Sequence, residues 1–124
     1  MTACSTITCW NKITIGDNCL CSWGIHIADS DFHYTINPNT KEYYSPYGSI
    51  SIGNGVWIGM RATILKDSVI PNGCIVGASS LIKKLFNEEN TLLAGNPAQV
   101  KKKNIRLAQK GECPEIWPMK KIIE

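Results

Sequence analysis

The 124-residue sequence has no long apolar run, no paired-cysteine metal motif and only two histidines. A membrane span needs about 18 to 20 consecutive apolar residues, and the first twenty residues carry no basic stretch followed by an apolar one. These absences predict a soluble, cytoplasmic protein that neither spans nor binds a membrane. Charged residues are also sparse at 19%, whereas 44% of the residues are hydrophobic, which is enough for the core of one domain.

The six cysteines do not follow a C-x-x-C pattern, and no export signal accompanies them. A disulfide framework or a cysteine metal site is therefore not favoured. Four of them fall where the repeat described below takes small or apolar side chains: Cys9, Cys19, Cys21 and Cys74. We expect reduced cysteines that pack as small hydrophobic side chains.

The net charge of +3 is unevenly distributed along the chain. Residues 83–124 hold nine Lys or Arg against five Glu, whereas residues 1–82 hold four against five acidic residues. The basic end is able to receive an anionic ligand, and a solvated surface explains the same lysines equally well. The lysine run at 101–103 has no interleaved aromatic residues, so nucleic-acid binding is not predicted.

A six-residue repeat begins at Ile52 and reads IGNGVW, IGMRAT, ILKDSV, IPNGCI and VGASSL before Ile82. Its first position is always Ile or Val, and its fifth is always a small residue. A period of six fits neither a helix nor an ordinary alternating strand. It fits short strands joined by sharp corners bent by glycine or asparagine, with three faces per turn of a triangular prism and coils about 4.8 Å apart. We predict an all-β protein that forms a parallel β-helix.

The repeat also sets the expected boundaries within a single domain, residues 1–124. One extra residue between Ile27 and Ile52 breaks the phase, and the intervening sequence is rich in Asp, Asn, Pro and Tyr. A short helix over 98–109 is expected from the spacing of Val100, Leu107 and Ala108, and the apolar tail after it should cover an open coil end or a neighbouring subunit. The predicted segments are first repeats at 1–27, a protruding loop at 28–50, main coils at 51–97 and a C-terminal helix and tail at 98–124.

Three stretches carry a resemblance to a known family: IGDNCLCSWGIHIADSDFH, ISIGNGVWIGMRATILKDSVIPNGCIVGASSLIKK and LLAGNPAQVKKK. In this order and phase they resemble the hexapeptide-repeat acyltransferases, in particular the sugar and polysaccharide O-acetyltransferases. The resemblance implies a left-handed β-helix, a homotrimer and acetyl-CoA bound between neighbouring subunits. None of these three points follows from the spacing alone.

His33 is the candidate general base. Transfer of an acetyl group to a hydroxyl requires removal of the hydroxyl proton, and an imidazole suits that task near neutral pH. The resemblance places the family's catalytic histidine at this position, and Asp29 or Asp31 is a candidate to orient its ring. His26 lies between two inward-facing isoleucines and should point outward without a catalytic role.

The resemblance also implies a set of acetyl-CoA contacts. Small residues allow a pantetheine chain to approach the backbone, and lysines are suited to its phosphates. Ile82-Lys83 stands where a Val-Thr pair is common in the family. The candidate residues are Trp57, Gly59, Gly77, Ala78, Ser79, Lys83, Lys84, Lys101 and Lys102.

These residues predict an acetyl-CoA-dependent O-acetyltransferase acting on a sugar or another small hydroxylated acceptor. No metal is expected, because the β-helical carbonic anhydrases need three histidines around zinc and this chain has two. A nucleophilic cysteine is not supported beside His33. The alternative is a catalytically silent trimeric β-helix that acts as a binding or assembly module, since the chain starts near mid-repeat and a missing N-terminal wall would remove part of the acceptor site.

Overall fold

The computed structural model describes residues 5–112, which form fourteen β-strands and no helix. No helix in this part of the chain could therefore cross a membrane. In chain order the strands are β1 (Thr6–Thr8), β2 (Lys12–Ile15), β3 (Leu20–Cys21), β4 (His26–Ala28), β5 (Thr35–Ile36), β6 (Tyr43–Tyr44), β7 (Ser49–Ile52), β8 (Trp57–Ile58), β9 (Thr63–Ile64), β10 (Ser68–Ile70), β11 (Ile75–Val76), β12 (Leu81–Ile82), β13 (Thr91–Gly95) and β14 (Ala98–Lys103).

Three sheets form the faces of a triangular prism. Sheet 1 contains β1, β4, β9 and β12; sheet 2 contains β2, β7 and β10; sheet 3 contains β3, β8, β11, β13 and β14. Within the sheets the strands pair in parallel, except for β13 with β14. Ile58 pairs with Val76 and Ile64 with Ile82, eighteen positions apart. Three hexapeptides therefore complete one coil, as the period of six predicts.

The core of the prism consists of the first and fifth positions of the repeat. Both sets are at most 2% exposed, which confirms their predicted inward orientation. The first coil differs, since Ile15 is 36% exposed and Cys9 is also exposed, because no described coil stacks beneath it. The buried residues are Ile52, Ile58, Ile64, Ile70, Val76 and Ile82 at position one, and Val56, Ala62, Ser68, Cys74 and Ser80 at position five.

Positions two and four of the repeat have different structural roles at the corners. Position four has a left-handed backbone in every regular repeat, with φ between 59° and 72°, although only two of the five residues are glycine. The glycine at position two has another purpose: a Cβ on Gly59 would lie 2.7 Å from the Val76 carbonyl oxygen and 2.8 Å from the Ala78 nitrogen. Glycine at position two therefore permits close stacking of coils, while position four makes the bend.

Residues 29–48 leave the prism between β4 and β7. This segment, called the loop below, carries the antiparallel hairpin of β5 and β6, and a bridge between Ser30 and Tyr47 joins its two ends. His26 pairs with Thr63 thirty-seven positions later, nineteen more than in a regular coil. Nineteen residues are three hexapeptides and one residue, which explains the break in phase between Ile27 and Ile52.

The helix predicted over 98–109 is wrong. After the turn at Asn96 and Pro97, β14 returns antiparallel to β13, and residues 104–112 contain neither helix nor strand. Pairing with β13 satisfies backbone groups at the edge of sheet 3 and buries Ala98, whereas the lysines of β14 remain exposed. The expectations for Cys4, Cys113 and the tail at 113–124 lie outside the described residues.

Candidate active site

An apolar groove of about 600 Å³ follows the corner between sheet 3 and sheet 1. Trp57, Ile75 and Leu92 are register partners on successive rungs of sheet 3, and they form one wall. Small residues at the corner leave the surface next to this wall without bulky side chains. The lining residues are Ser22, Trp23, Trp57, Gly59, Met60, Ile75, Val76, Gly77, Ala78, Leu92 and Ile105.

Four of the predicted cofactor residues, Trp57, Gly59, Gly77 and Ala78, converge on this groove. Ser79 follows them at the corner with φ of 59° and is exposed, but it is not part of the lining. Seven lining residues were not among the predicted cofactor contacts. The eighteen-residue coil contained the signal for one of them, because it places Ile75 directly beside Trp57. The other six are Ser22, Trp23, Met60, Val76, Leu92 and Ile105.

The four predicted phosphate-binding lysines separate into two places. Lys101 and Lys102 lie on β14, where Lys102 is the register partner of the groove residue Leu92. Lys83 and Lys84 follow β12 at the corner between sheet 1 and sheet 2, and the Lys84 ammonium lies 5.1 Å from the centre of the Phe86 ring. A single chain therefore presents two lysines beside the groove and two at a different corner.

His33 lies on the loop, which leaves the prism at the corner between sheet 1 and sheet 2. Its side chain is exposed, and its ring makes no hydrogen bond to another residue between 5 and 112. The groove follows the next corner of the prism, and His33 is not part of its lining. One chain by itself thus keeps the candidate base apart from the groove.

Asp29 is fully buried and binds the segment before β2. Its carboxylate accepts backbone N–H bonds from Trp10 at 2.8 Å, Asn11 at 2.8 Å and Lys12 at 2.7 Å, and its Oδ2 lies 3.6 Å from the Cys9 thiol. Burial by itself raises the pKa of the Asp29 carboxyl, but these four hydrogen bonds outweigh it and hold the pKa below its usual value. The Asp29 carboxylate is therefore occupied inside the scaffold and makes no hydrogen bond to His33 within residues 5–112, and its predicted role in orienting His33 stays a prediction.

Asp31 lies at the base of the loop and contacts Lys66 and Pro46. Its carboxylate lies 2.9 Å from the Lys66 ammonium, and its backbone N–H donates to the Pro46 carbonyl at 2.9 Å. The ion pair is partly solvated, since the Asp31 side chain is 54% exposed. In this structure Asp31 therefore anchors the loop to the coil above rather than contacting His33.

His26 and the cysteines do not contribute a second reactive centre. His26 points outward from sheet 1 as predicted, with its Nδ1 2.8 Å from the Thr6 hydroxyl. The four cysteines of the described chain are free, and burial raises the pKa of the Cys21 thiol, which disfavours a thiolate nucleophile. Among residues 5–112, no three His, Cys, Asp or Glu residues are grouped so that they could hold a metal.

Comparison with known proteins identifies the family of the chain. The family profile described as bacterial transferase hexapeptide (six repeats) matches residues 49–84. A putative lipopolysaccharide biosynthesis O-acetyl transferase of Escherichia coli (strain K12) is 33% identical over 102 residues, covering 74% of this chain and 50% of that relative. The chain belongs to the hexapeptide-repeat acyltransferase family.

Solved structures of the family share the fold. A polysialic acid O-acetyltransferase superposes with a TM-score of 0.78 at 37% identity, covering 86% of this chain and 50% of the other. A galactoside acetyltransferase in complex with coenzyme A superposes with a TM-score of 0.65 at 25% identity, covering 85% and 57%. These likenesses confirm the left-handed parallel β-helix. The chain spans about half the length of these relatives.

Proposed function

We propose that this chain transfers the acetyl group of acetyl-CoA to a hydroxyl of a saccharide acceptor. The observation that carries the proposal is the convergence of Trp57, Gly59, Gly77 and Ala78 on one apolar groove. Related proteins support the reaction class, since they are O-acetyltransferases and one solved relative holds coenzyme A.

The groove has the surface chemistry that a pantetheine arm requires. Its wall of Trp57, Ile75 and Leu92 offers an apolar face to the methylene and dimethyl groups. Beside that wall Gly59 and Gly77 leave the corner without bulky side chains, so amide groups of the arm can approach the backbone. Lys101 and Lys102 lie on the edge strand of the same sheet, where their positive charges suit the phosphates of coenzyme A.

His33 is the group that we propose to accept the proton. Its imidazole removes the acceptor hydroxyl proton while the oxygen attacks the thioester carbonyl, and the bond to sulfur then breaks to release coenzyme A. The acetyl group passes directly between the two substrates, without an acyl-enzyme. The exposed ring is free to meet an acceptor that arrives from solvent.

We further propose that three copies assemble and that each active site lies between two of them. The loop with His33 and the groove with Trp57 occupy different corners of one prism. A three-fold arrangement places one corner of a chain against another corner of its neighbour, so that one subunit supplies the base and the next supplies the groove. Light scattering should give the mass of three chains, and a monomer at micromolar concentration would contradict this assembly.

Substitution of His33 tests the proposed chemistry. We expect acetyl-CoA to raise the melting temperature of both the wild type and His33→Ala, because the groove is intact in both. With a competent acceptor, the release of coenzyme A by His33→Ala should fall by about 100-fold. His26→Ala is the matched control, and its turnover should equal that of the wild type because the His26 ring lies on an outer face, where it bonds to the Thr6 hydroxyl.

Two outcomes separate the proposal from its alternative. Equal rates of coenzyme A release by the wild type and His33→Ala would remove His33 from the mechanism. Absence of any thermal stabilisation by acetyl-CoA would instead favour a silent binding or assembly module.

A further inference from the structure

Four exposed aromatic side chains surround the base of the loop that carries His33. Trp10 contacts Phe32 edge to face, with ring centres 5.5 Å apart at 83°. Trp10 and Tyr47 are 6.4 Å apart, and Tyr47 and Tyr34 are also 6.4 Å apart at 85°. These four residues, called the aromatic cluster below, form a continuous row, and two of them are the sequence neighbours of His33.

Backbone contacts hold the row in place from both sides. The Trp10 backbone is bound to the buried Asp29 carboxylate, and the Ser30–Tyr47 bridge joins the two ends of the loop. Phe32 has a left-handed backbone with φ of 68°, which is unusual for a bulky residue, and its N–H donates to the Ser30 hydroxyl at 2.9 Å. The rings are therefore presented on a fixed frame before any ligand arrives.

The cluster is exposed, although it is large and aromatic. The four side chains are between 44% and 61% exposed. Within residues 5–112, the indole N–H of Trp10 and the phenol groups of Tyr34 and Tyr47 make no hydrogen bond to the protein. The surface thus combines accessible ring faces with free polar groups at their edges, a combination that aromatic residues use in ligand recognition.

A pyranose ring has the complementary chemistry. One of its faces is rich in C–H groups and stacks on an aromatic ring, while the hydroxyls around its rim accept and donate hydrogen bonds. A protein surface that closed over the cluster would have to provide a partner for each of the three free polar groups or leave it buried unpaired, which is costly. Hydroxyl-rich sugar rings provide those partners at every position along the row.

We propose that the aromatic cluster is a stacking platform for at least two consecutive pyranose rings of an oligosaccharide acceptor. The four rings are linked by contacts of 5.5 to 6.4 Å between ring centres, so the cluster offers aromatic surface to more than one sugar ring. The platform positions the chain so that one hydroxyl reaches His33, between Phe32 and Tyr34. This inference rests on the acyl-transfer function proposed above and narrows its acceptor to an extended saccharide.

Binding to an array of immobilised pyranose oligosaccharides, neutral and sialylated and one to six units long, tests the platform without catalysis. The wild type should bind at least one oligosaccharide about tenfold more tightly than its monosaccharide. Tyr47→Ala should weaken that binding by about tenfold or more, and Tyr47→Trp should restore it because a ring returns. Tyr43→Ala is the control, since Tyr43 is 69% exposed on the same hairpin and lies outside the cluster.

The outcomes distinguish this inference from the proposed function. Acetyl-CoA should stabilise Tyr47→Ala and the wild type equally, so a loss confined to saccharide binding supports the platform. Binding to no oligosaccharide, or equal weakening by Tyr43→Ala, overturns the platform while leaving acetyl transfer to a small acceptor intact. Dissociation of the oligomer by Tyr47→Ala, measured by light scattering, would show that the cluster is a subunit interface and would also overturn it.

Discussion

The buried carboxylate of Asp29 joins the start of the loop to the first coil. Three backbone N–H groups and a thiol bind its two oxygens, from residues seventeen to twenty positions earlier in the chain. Such an acceptor fixes the segment that carries Trp10 and thereby one end of the aromatic cluster. The sequence suggested that Asp29 orients the catalytic base, whereas in the structure its side chain stabilises the scaffold next to the loop.

Asp29→Asn should destabilise the protein by about 3 kcal/mol, because an amide removes the charge and points a donor at groups that also donate. Chemical denaturation measures this cost. Asp31→Asn is the matched control and should cost less than about 1 kcal/mol, since its pair with Lys66 is partly solvated. Equal costs for the two variants would contradict the structural role of Asp29.

The same carboxylate predicts a pH dependence of stability. Its pKa in the folded protein is below the ordinary value of 3.8, so the folded state binds its proton less tightly than the unfolded state. The stabilisation is complete above that ordinary value and is lost as the pH falls below it. Asp29→Asn should therefore lose less stability than the wild type as the pH falls from 5 into the acid range. The slope of its unfolding free energy against pH should be smaller by the contribution of about one bound proton.

The family resemblance, together with the phase of the repeat, indicated part of the candidate site. Trp57, Gly59, Gly77 and Ala78 occupy defined repeat positions, and a regular prism places them at one corner. The bonds of Asp29 could not be predicted, because they join residues that belong to different coils and to an irregular connection. The positions of His33 and of the aromatic rings depend on the same irregular connection.

At the scale of elements, each short strand is stable only as a rung in a stack. Strands of two to four residues make few contacts of their own, and their isoleucines are buried by the rungs on either side. The coil spacing therefore depends on close approach at corners such as that of Gly59 and Val76. Loss of one rung should affect its neighbours, as in other repeat proteins.

Ile52→Ala should cost about 3 kcal/mol of unfolding free energy, because Ile52 is 1% exposed between two rungs. Ile15→Ala offers a matched comparison, since Ile15 is its register partner on the first coil but is 36% exposed. That variant should cost about 1 kcal/mol. If urea denaturation gave the reverse order, the first coil would be the better-covered end.

The C-terminal elements show where periodicity misleads. Apolar residues at 100, 107 and 108 suggested a helix, but β14 pairs with β13 and the following segment is held by side chains instead. Arg106 donates to both carboxylate oxygens of Glu112, and these bonds lower the pKa of Glu112 to about 2. The segment brings Ile105 to the groove, a placement that depends on this long-range return of the chain.

At the scale of the whole molecule, the proposed trimer requires that each site take its parts from two chains. His33 and the groove lie at different corners of the same prism. A variant that lacks the base and a variant that lacks the groove would then each lose activity for a different reason. In mixed trimers, the groove of the first variant and the base of the second can form an intact site. Such complementation is impossible if each active site lies within one chain.

Co-expression of His33→Ala with Ala78→Trp tests this arrangement. Ala78 is exposed in the groove lining, so a tryptophan there should fill the space for the pantetheine arm without entering the core. Each variant alone should be inactive, and random mixed trimers should recover about one quarter of the wild-type turnover. Co-expression of Tyr43→Ala with either variant is the reference and should give about one half of the wild-type turnover, because only one of the two parts of a site is then defective in half of the chains. No recovery by the His33→Ala and Ala78→Trp pair would place the site within single chains.

The sequence by itself determined the parallel β-helix, its three-sided coil and the residues that face its core. It could do so because the period of six repeats one local conformation, and stacking identical turns fixes which side chains face inward. The tertiary structure decided the burial of Asp29, the strand at 98–103 and the aromatic row beside His33. Those features arise from contacts between segments far apart in sequence. No local pattern of residues predicts the free energy of such contacts.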